Sequence, residues 1–338
     1  MRRELNVAIV GATGLVGREL LKIMEERRFP VAELRLCASD RSVGRRFFFN
    51  HRELTVLETG TRAFERMELV LFAAGPEVSY HYAPLAVRAG AVVIDYSHSF
   101  RLEPGVPLVV PEVNAGDLKG HEGFIASPES AVTQLVMALS PIHRVNPVRR
   151  AIVVSYHAVS GAGAAAQDEL TIQVKQVQEG HAAVPHIFPH QIAFNVLPQC
   201  DVFLDNGYTR EEWRLAEESR KVLHAPELSL SATCVRVPIL IGHGLAAHLE
   251  LTHPLSADDA RQLLAEAPGL RVLDDPHVSL YPTPWSAAGQ DSVFVGRIRQ
   301  DEALPNGLAL WIVADNVRKG AALNAVQIAE ELLARELI

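Results

Sequence analysis

The chain lacks any run of about 18 apolar residues, so it offers nothing long enough to cross a bilayer as a helix. Positive charge is also in short supply. Its 32 lysines and arginines stand against 40 carboxylates, giving a net charge of -8. That balance opposes nucleic acid and anionic membranes as partners, because both require basic faces. Cysteine is scarce: Cys37, Cys200 and Cys234 cannot all pair within one chain, and each lies in an apolar stretch. Buried thiols in a reducing cytoplasm are the expectation. The start, MRRELNVAIVG, runs from arginines directly into a strand-like pattern, with no apolar h-region or small-residue cleavage site. No secretory signal is therefore expected. Internal repeats, low-complexity tracts and an obvious flexible linker are absent too. His181, His186 and His190 cluster in HAAVPHIFPH, but Pro185 and Pro189 break helical spacing, so no metal site is expected.

What is present is the composition of a soluble globular protein, 48% hydrophobic and 21% charged, and its 338 residues suggest two domains. Up to residue 127, strand-like and helix-like patterns alternate. Apolar runs at 5–10, 34–38, 69–74, 92–95 and 124–127 are interleaved with helical spacing at 15–26 and 79–89. Such alternation argues for a parallel sheet wrapped by crossover helices. From Ser130 the rhythm changes. Helical patterns at 131–139, 164–178 and 257–266 stand among strand candidates at 151–156, 231–239, 245–252, 292–299 and 308–314. A long amphipathic helix is expected over 319–337. The fold class predicted is α/β: an N-terminal Rossmann-like dinucleotide-binding domain followed by an α+β catalytic and dimerisation domain. The first covers residues 1–127 with the C-terminal helix 319–338, and the second covers 128–318.

Gly11, Gly14 and Gly17 in VAIVGATGLVG lie between the first strand and the first helix. Glycines there permit a tight turn and close approach of backbone to phosphate, and the helix N-terminus offers unpaired N–H groups. The spacing is G-x-x-G-x-x-G, which departs from the usual dinucleotide fingerprint. The second strand ends in Ser39–Asp40–Arg41–Ser42, where an NAD site would place a carboxylate for the ribose. Hydroxyls and a guanidinium suit a 2′-phosphate better, so NADP is expected, with Asp40 pointing away if Arg41 points in.

The segments GATGLVG, ASDRSVG, SFRLEPGVPLVVPEVN, SGAGA, FPHQIAFNVLPQ, LDNGYTREEWR, SATCVRVPILIGH and DNVRKGAALNAVQIAE occur in this order along the chain. Together they resemble the aspartate-semialdehyde dehydrogenase family over essentially its whole length. The resemblance implies NADP contacts at Gly11, Thr13, Gly14, Leu15, Val16, Gly17, Ser39, Arg41 and Ser42, with Ser160, Gly161 and Asn316 completing the set. It implies His243 as general acid/base, Arg236 for the substrate carboxylate, Glu211 for its amino group, and Arg101 and Arg214 for phosphate. It also implies a cytoplasmic homodimer acting on a small acyl phosphate or semialdehyde and inorganic phosphate.

At its centre the chain departs from the family it resembles. Where that family carries N-P-N-C-S/T, this chain reads Ser127–Pro128–Glu129–Ser130–Ala131, so Ser130 occupies the place of the nucleophilic cysteine. His157 stands where glutamine is expected, and Gly244 where serine is common. A thiol is a few per cent ionised at neutral pH and intrinsically nucleophilic, whereas a hydroxyl depends on an adjacent base. Three outcomes are open: weak or altered turnover, a catalytically silent copy that binds a ligand or partner, or acyl transfer by Ser130 with His157 or His243 as base.

Overall fold

The computed structural model describes residues 3–338; Met1 and Arg2, at the head of the arginine-bearing start, lie outside the described residues. The chain divides into two compact units. The first comprises the described residues up to Glu129 together with Ala321–Ile338, and the second comprises Ser130–Gly320.

The first unit contains β1 (Leu5–Val10), α1 (Leu15–Glu26), β2 (Val31–Ala38), β3 (Arg46–Phe49), β4 (Arg52–Glu58), β5 (Leu69–Phe72), α2 (Pro76–Arg88), β6 (Val92–Asp95), α3 (Pro111–Asn114) and β7 (Phe124–Ala126). The strands form one seven-stranded sheet in the order β3-β4-β2-β1-β5-β6-β7. All pairings are parallel except β3 with β4. Successive residues of a strand face opposite sides, so the near-continuous apolar run LNVAIV serves two cores. Leu5, Val7 and Ile9 pack with Leu20, Ile23 and Met24 of α1, while Ala8 and Val10 pack with Phe72, Ala83 and Ala86. Burying each large apolar side chain contributes roughly 1.5–3 kcal/mol.

The second unit contains α4 (Ser130–Val145), β8 (Val148–His157), α5 (Ala164–Gln178), α6 (Arg210–Leu223), β9 (Ser229–Arg236), β10 (His243–Leu251), α7 (Ala257–Glu266), β11 (Leu270–Val272), α8 (Pro284–Ala287), β12 (Val293–Asp301) and β13 (Gly307–Ala314). Its six-stranded sheet runs β11-β12-β13-β10-β8-β9. The pairs β8–β9 and β11–β12 are parallel, and the rest are antiparallel. On β8 the residues Ala151, Val153, Ser155 and His157 are buried, and Ile152 and Tyr156 on the other face are exposed. The last helix, α9 (Leu323–Ala334), packs in the first unit with Leu323, Val326, Ile328 and Leu332 in the core that also holds α1.

Several local features differ from the sequence expectation, the unanticipated short helices α3 and α8 among them. The hairpin β3–β4 was not anticipated. Its turn at Asn50 and His51 has positive φ at both residues (48° and 63°), the backbone of a tight hairpin. Helix α6 was missed although Thr209 and Glu212 spell its capping box. The short strand β11 was also missed. The terminal helix begins at Leu323, because Arg318–Ala322 winds as a π-helical turn. Among the described residues, no helix is long and apolar enough to cross a membrane.

Candidate active site

The nucleotide end of the first unit lies where sheet order reverses. The chain leaves β1 for β2 on one side and is later joined by β5 on the other, so a crevice opens beyond the carboxyl ends of these strands. A cleft of about 480 Å³ lies there, lined by Gly11, Thr13, Gly14, Ser39, Asp40 and Glu58 among others. Gly11 has φ +85°, and a Cβ on it would lie 2.5 Å from the Ala73 carbonyl oxygen, so no other residue fits the turn. Gly14 caps α1 without a side-chain hydrogen bond, which leaves the helix N-terminus for a phosphate. Leu15, Val16 and Gly17 form the first turn of α1. Thr13 Oγ1 donates to Ser42 Oγ at 3.3 Å, linking the glycine turn to the short 3₁₀ turn Asp40–Ser42. Asp40 lines the cleft and its Oδ1 accepts the Arg41 N–H at 2.7 Å, while the Arg41 side chain is exposed.

Arg101 also belongs to the first unit, and it is buried. Its Nη2 donates to the Tyr96 carbonyl at 2.6 Å, and its guanidinium lies 5.4 Å from the Tyr96 ring centre. The loop is anchored by Asp95, which accepts from Ser97 Oγ (2.7 Å) and Ser79 Oγ (2.9 Å).

In the second unit, strand register gathers the remaining candidates. His157 pairs with Arg236 across β8 and β9, and His243 opens β10, where the next residue, Gly244, pairs with Tyr156. The two imidazoles lie 4.4 Å apart, centre to centre, and both are buried. His243 Nδ1 accepts the Ala158 N–H at 3.1 Å, so a neutral His243 carries its proton on Nε2. Arg236 Nη1 donates to the Ala158 carbonyl at 2.8 Å, while its buried Nε has no hydrogen-bond partner among the described residues. Buried donors are almost always satisfied, so this open one fits an anionic ligand. Gly161 leaves no room for a side chain: a Cβ there would stand 2.7 Å from Arg236 Nη1 and 3.4 Å from the His243 ring. Asn316 ties this edge together, donating to Ser160 Oγ (3.0 Å) and accepting the Gly242 N–H (2.8 Å).

Ser130 is the first residue of α4 and is buried. Its Cβ faces Gly320 so closely that a methyl on that glycine would lie 2.6 Å away. Gly320 N in turn donates to the Asp315 carbonyl at 3.0 Å, and Asp315 follows Ala314, the register partner of His243.

Glu211 stands in the first turn of α6, with one carboxylate oxygen 3.9 Å from His157 Nδ1. Arg214, one turn on, is buried and donates to Asp201 Oδ2 at 3.0 Å, so the guanidinium already has an anion. Burial, and then the neighbouring Arg236 guanidinium, hold His157 well below its ordinary pKa of 6.5. Its Nε2 meets Ser155 Oγ at 2.9 Å, and Ser155 Oγ donates to Cys234 Sγ at 3.1 Å. The sequence reading missed Ser155. Its only signal was the alternation that places it on the same face of β8 as His157. His181, His186 and His190 are exposed on the loop after α5.

Residues 6–121 match the family described as semialdehyde dehydrogenase, NAD binding domain, and residues 139–319 match semialdehyde dehydrogenase, dimerisation domain. The fold is thus that of the two-unit semialdehyde dehydrogenase class. Aspartate-semialdehyde dehydrogenase of Legionella pneumophila is 50% identical over 341 residues, covering 100% of this chain and 98% of the relative. That of Bacillus subtilis is 46% identical over 346 residues, covering 100% of both. A crystal structure of aspartate semialdehyde dehydrogenase II from Vibrio cholerae, complexed with ASA, superposes with a TM-score of 0.96 at 42% identity, covering 98% of this chain and 99% of that one. The chain belongs to the aspartate-semialdehyde dehydrogenase family.

Proposed function

We propose that this protein is a cytoplasmic, NADP-dependent member of its family with slow or altered turnover, because a hydroxyl stands where the reaction calls for a thiol. The reaction is reductive dephosphorylation of an acyl phosphate to a semialdehyde, run in either direction. The carrying observation is the buried Arg236–His157–His243 row with an open donor on Arg236. Arg236 binds the substrate carboxylate, Glu211 the amino group, and His243 Nε2 gives or takes the proton of the tetrahedral step. Arg101 is the candidate for phosphate; Arg214 is weaker in that role because it is held by Asp201. A bound nicotinamide would supply or accept the hydride. Thr13, Ser39, Ser42 and Arg41 favour a 2′-phosphate, although Asp40 and Glu58 in the cleft oppose one.

Ser130 sits at the N-terminus of α4, where the helix dipole favours an anion, yet a serine hydroxyl is essentially un-ionised without a base. Losing a nucleophile costs on the order of 10⁶ in rate. The exposed sheet face bearing Ile152 and Tyr156 supports a homodimer. Purified protein is assayed with aspartate semialdehyde and phosphate, with NADP and NAD in parallel. Ser130→Cys is expected to raise turnover by at least about a hundred-fold, with NADP preferred. Turnover unchanged in Ser130→Cys and in Ser130→Ala would show that position 130 is not the nucleophile. Binding of NADP without turnover by either protein would leave the silent ligand-binding paralogue as the reading.

A further inference from the structure

The cleft of the first unit holds two carboxylates that the proposed reaction does not use, Asp40 and Glu58. Strands β2 and β4 run parallel with Ala38 opposite Glu58, so both finish at the same edge of the cleft. Asp40 follows two residues beyond Ala38, in the 3₁₀ turn Asp40–Ser42. Its Oδ1 accepts the Arg41 N–H at 2.7 Å, which ties the carboxylate to the turn. Its Oδ2 has no hydrogen bond among the described residues, and the Glu58 side chain has neither a hydrogen bond nor an ion pair among them. Neither charge is neutralised by a guanidinium, although Arg41 and Arg45 are near in sequence. Thr59, beside Glu58, spends its hydroxyl proton on the Ala38 carbonyl at 3.1 Å, so it adds no donor for a phosphate. In a dinucleotide crevice of this kind the end of the second strand meets the adenosine ribose. A ribose 2′-hydroxyl donates a hydrogen bond to a carboxylate, whereas a 2′-phosphate there meets like charge.

We propose that Asp40 and Glu58 are specificity-determining residues that open this cleft to NAD as well as NADP. They accept from the ribose hydroxyls of NAD, and they oppose the 2′-phosphate that Arg41, Ser39 and Ser42 attract. The two sets of groups act on one position of the nucleotide with opposite sign, so the preference for NADP is small. Both carboxylates are exposed, so water screens them and each contributes a factor of about five. The proposal rests on the function given above in taking the ligand to be a nicotinamide dinucleotide.

Calorimetric titration of the purified protein with NADP and with NAD, in the absence of substrate, tests this independently of turnover. The wild type is expected to bind the two with Kd values within about ten-fold of each other. Asp40→Asn and Glu58→Gln keep the size of each side chain and remove its charge, and their amides still accept from a ribose hydroxyl. Each is expected to tighten NADP about five-fold, and the double variant to tighten it more than about ten-fold. NAD affinity is expected to change by less than about two-fold in either single variant. Arg41→Ala is expected to weaken NADP and leave NAD unaltered. A wild-type preference for NADP wider than about ten-fold overturns the proposal. So does a ratio of the two Kd values that the double variant leaves unchanged; both results keep the NADP-dependent function. A wild type that binds NAD more tightly, with a ratio that moves toward NADP in the double variant, would sink NADP dependence and keep the roles of Asp40 and Glu58. Binding of neither nucleotide would sink both.

Discussion

The burial of His157 has a consequence for stability. In the unfolded chain His157 titrates near 6.5, and in the folded protein its value lies well below that. Between the two values the unfolded state binds more protons, so stability falls as pH drops below about 6.5. Above that value both states are neutral, and the residue adds no pH dependence. His157→Gln is therefore expected to flatten the decline of the melting temperature measured from about pH 7 down to about pH 5. An unchanged decline would assign it to other groups. Cys37 behaves in the opposite sense: burial pushes its thiol up to about 11, so it remains protonated and inert in β2. Gly244 is explained by its surroundings, since a Cβ at that position would meet the Trp311 ring at 2.5 Å. A serine there would require that tryptophan to move. At this scale the glycines and single charges were legible in the sequence because their chemistry is local. The Cys234–Ser155–His157 chain was not, because it depends on the register of β8 against β9, and its first two members are 79 residues apart.

Among the elements, α6 carries the most with the least warning. Thr209 accepts the Glu212 N–H, and Glu212 Oε2 accepts the Thr209 N–H at 2.6 Å, closing a reciprocal cap. The other oxygen of Glu212 accepts the Cys234 N–H of β9 at 2.9 Å. One carboxylate thus starts the helix and fixes it to the strand that ends in Arg236, which sets Glu211 beside His157. Thr209→Ala is expected to cost about 1 kcal/mol in denaturant unfolding. Glu212→Ala is expected to cost more, roughly 1–3 kcal/mol beyond the cap, because it strands a buried N–H. Equal costs would show that the link to β9 adds nothing. The T-x-x-E signature was present in the sequence. It was masked by the polar run REEWR, whose apolar positions are sparse until Leu215, Ala216 and Val222 are seen to be the buried face. By contrast β1, α1, β6, α5 and α7 were read with their observed limits, since each is bounded by nearby glycine, proline or serine.

For the whole molecule, the decisive surface is the face of the six-stranded sheet turned away from His157. Alternation along β8 buries Ser155 and His157 on one side and leaves Ile152 43% and Tyr156 36% exposed on the other. Tyr156 lies 5.7 Å from the Trp311 ring of β13, so the aromatic part of this face reaches from β8 to β13, with the Arg150–Glu250 ion pair at its edge. Contiguous apolar area on a sheet face marks an interaction site, and in a homodimer the same patch meets its own copy. The alternation was visible in the sequence, but which face would lie open was not, because that depends on where α4 and its neighbours pack. If this face is the subunit interface, Ile152→Glu buries two carboxylates in it, one from each copy, which costs several kcal/mol per ion. Sedimentation equilibrium is expected to find a dimer for the wild type and a folded monomer for Ile152→Glu. A wild-type monomer, or a variant that remains dimeric at the same concentration, would place subunit contact on some other surface. The buried row would still be intact in a folded monomer, because Ile152 projects from the opposite face of the strand that carries His157.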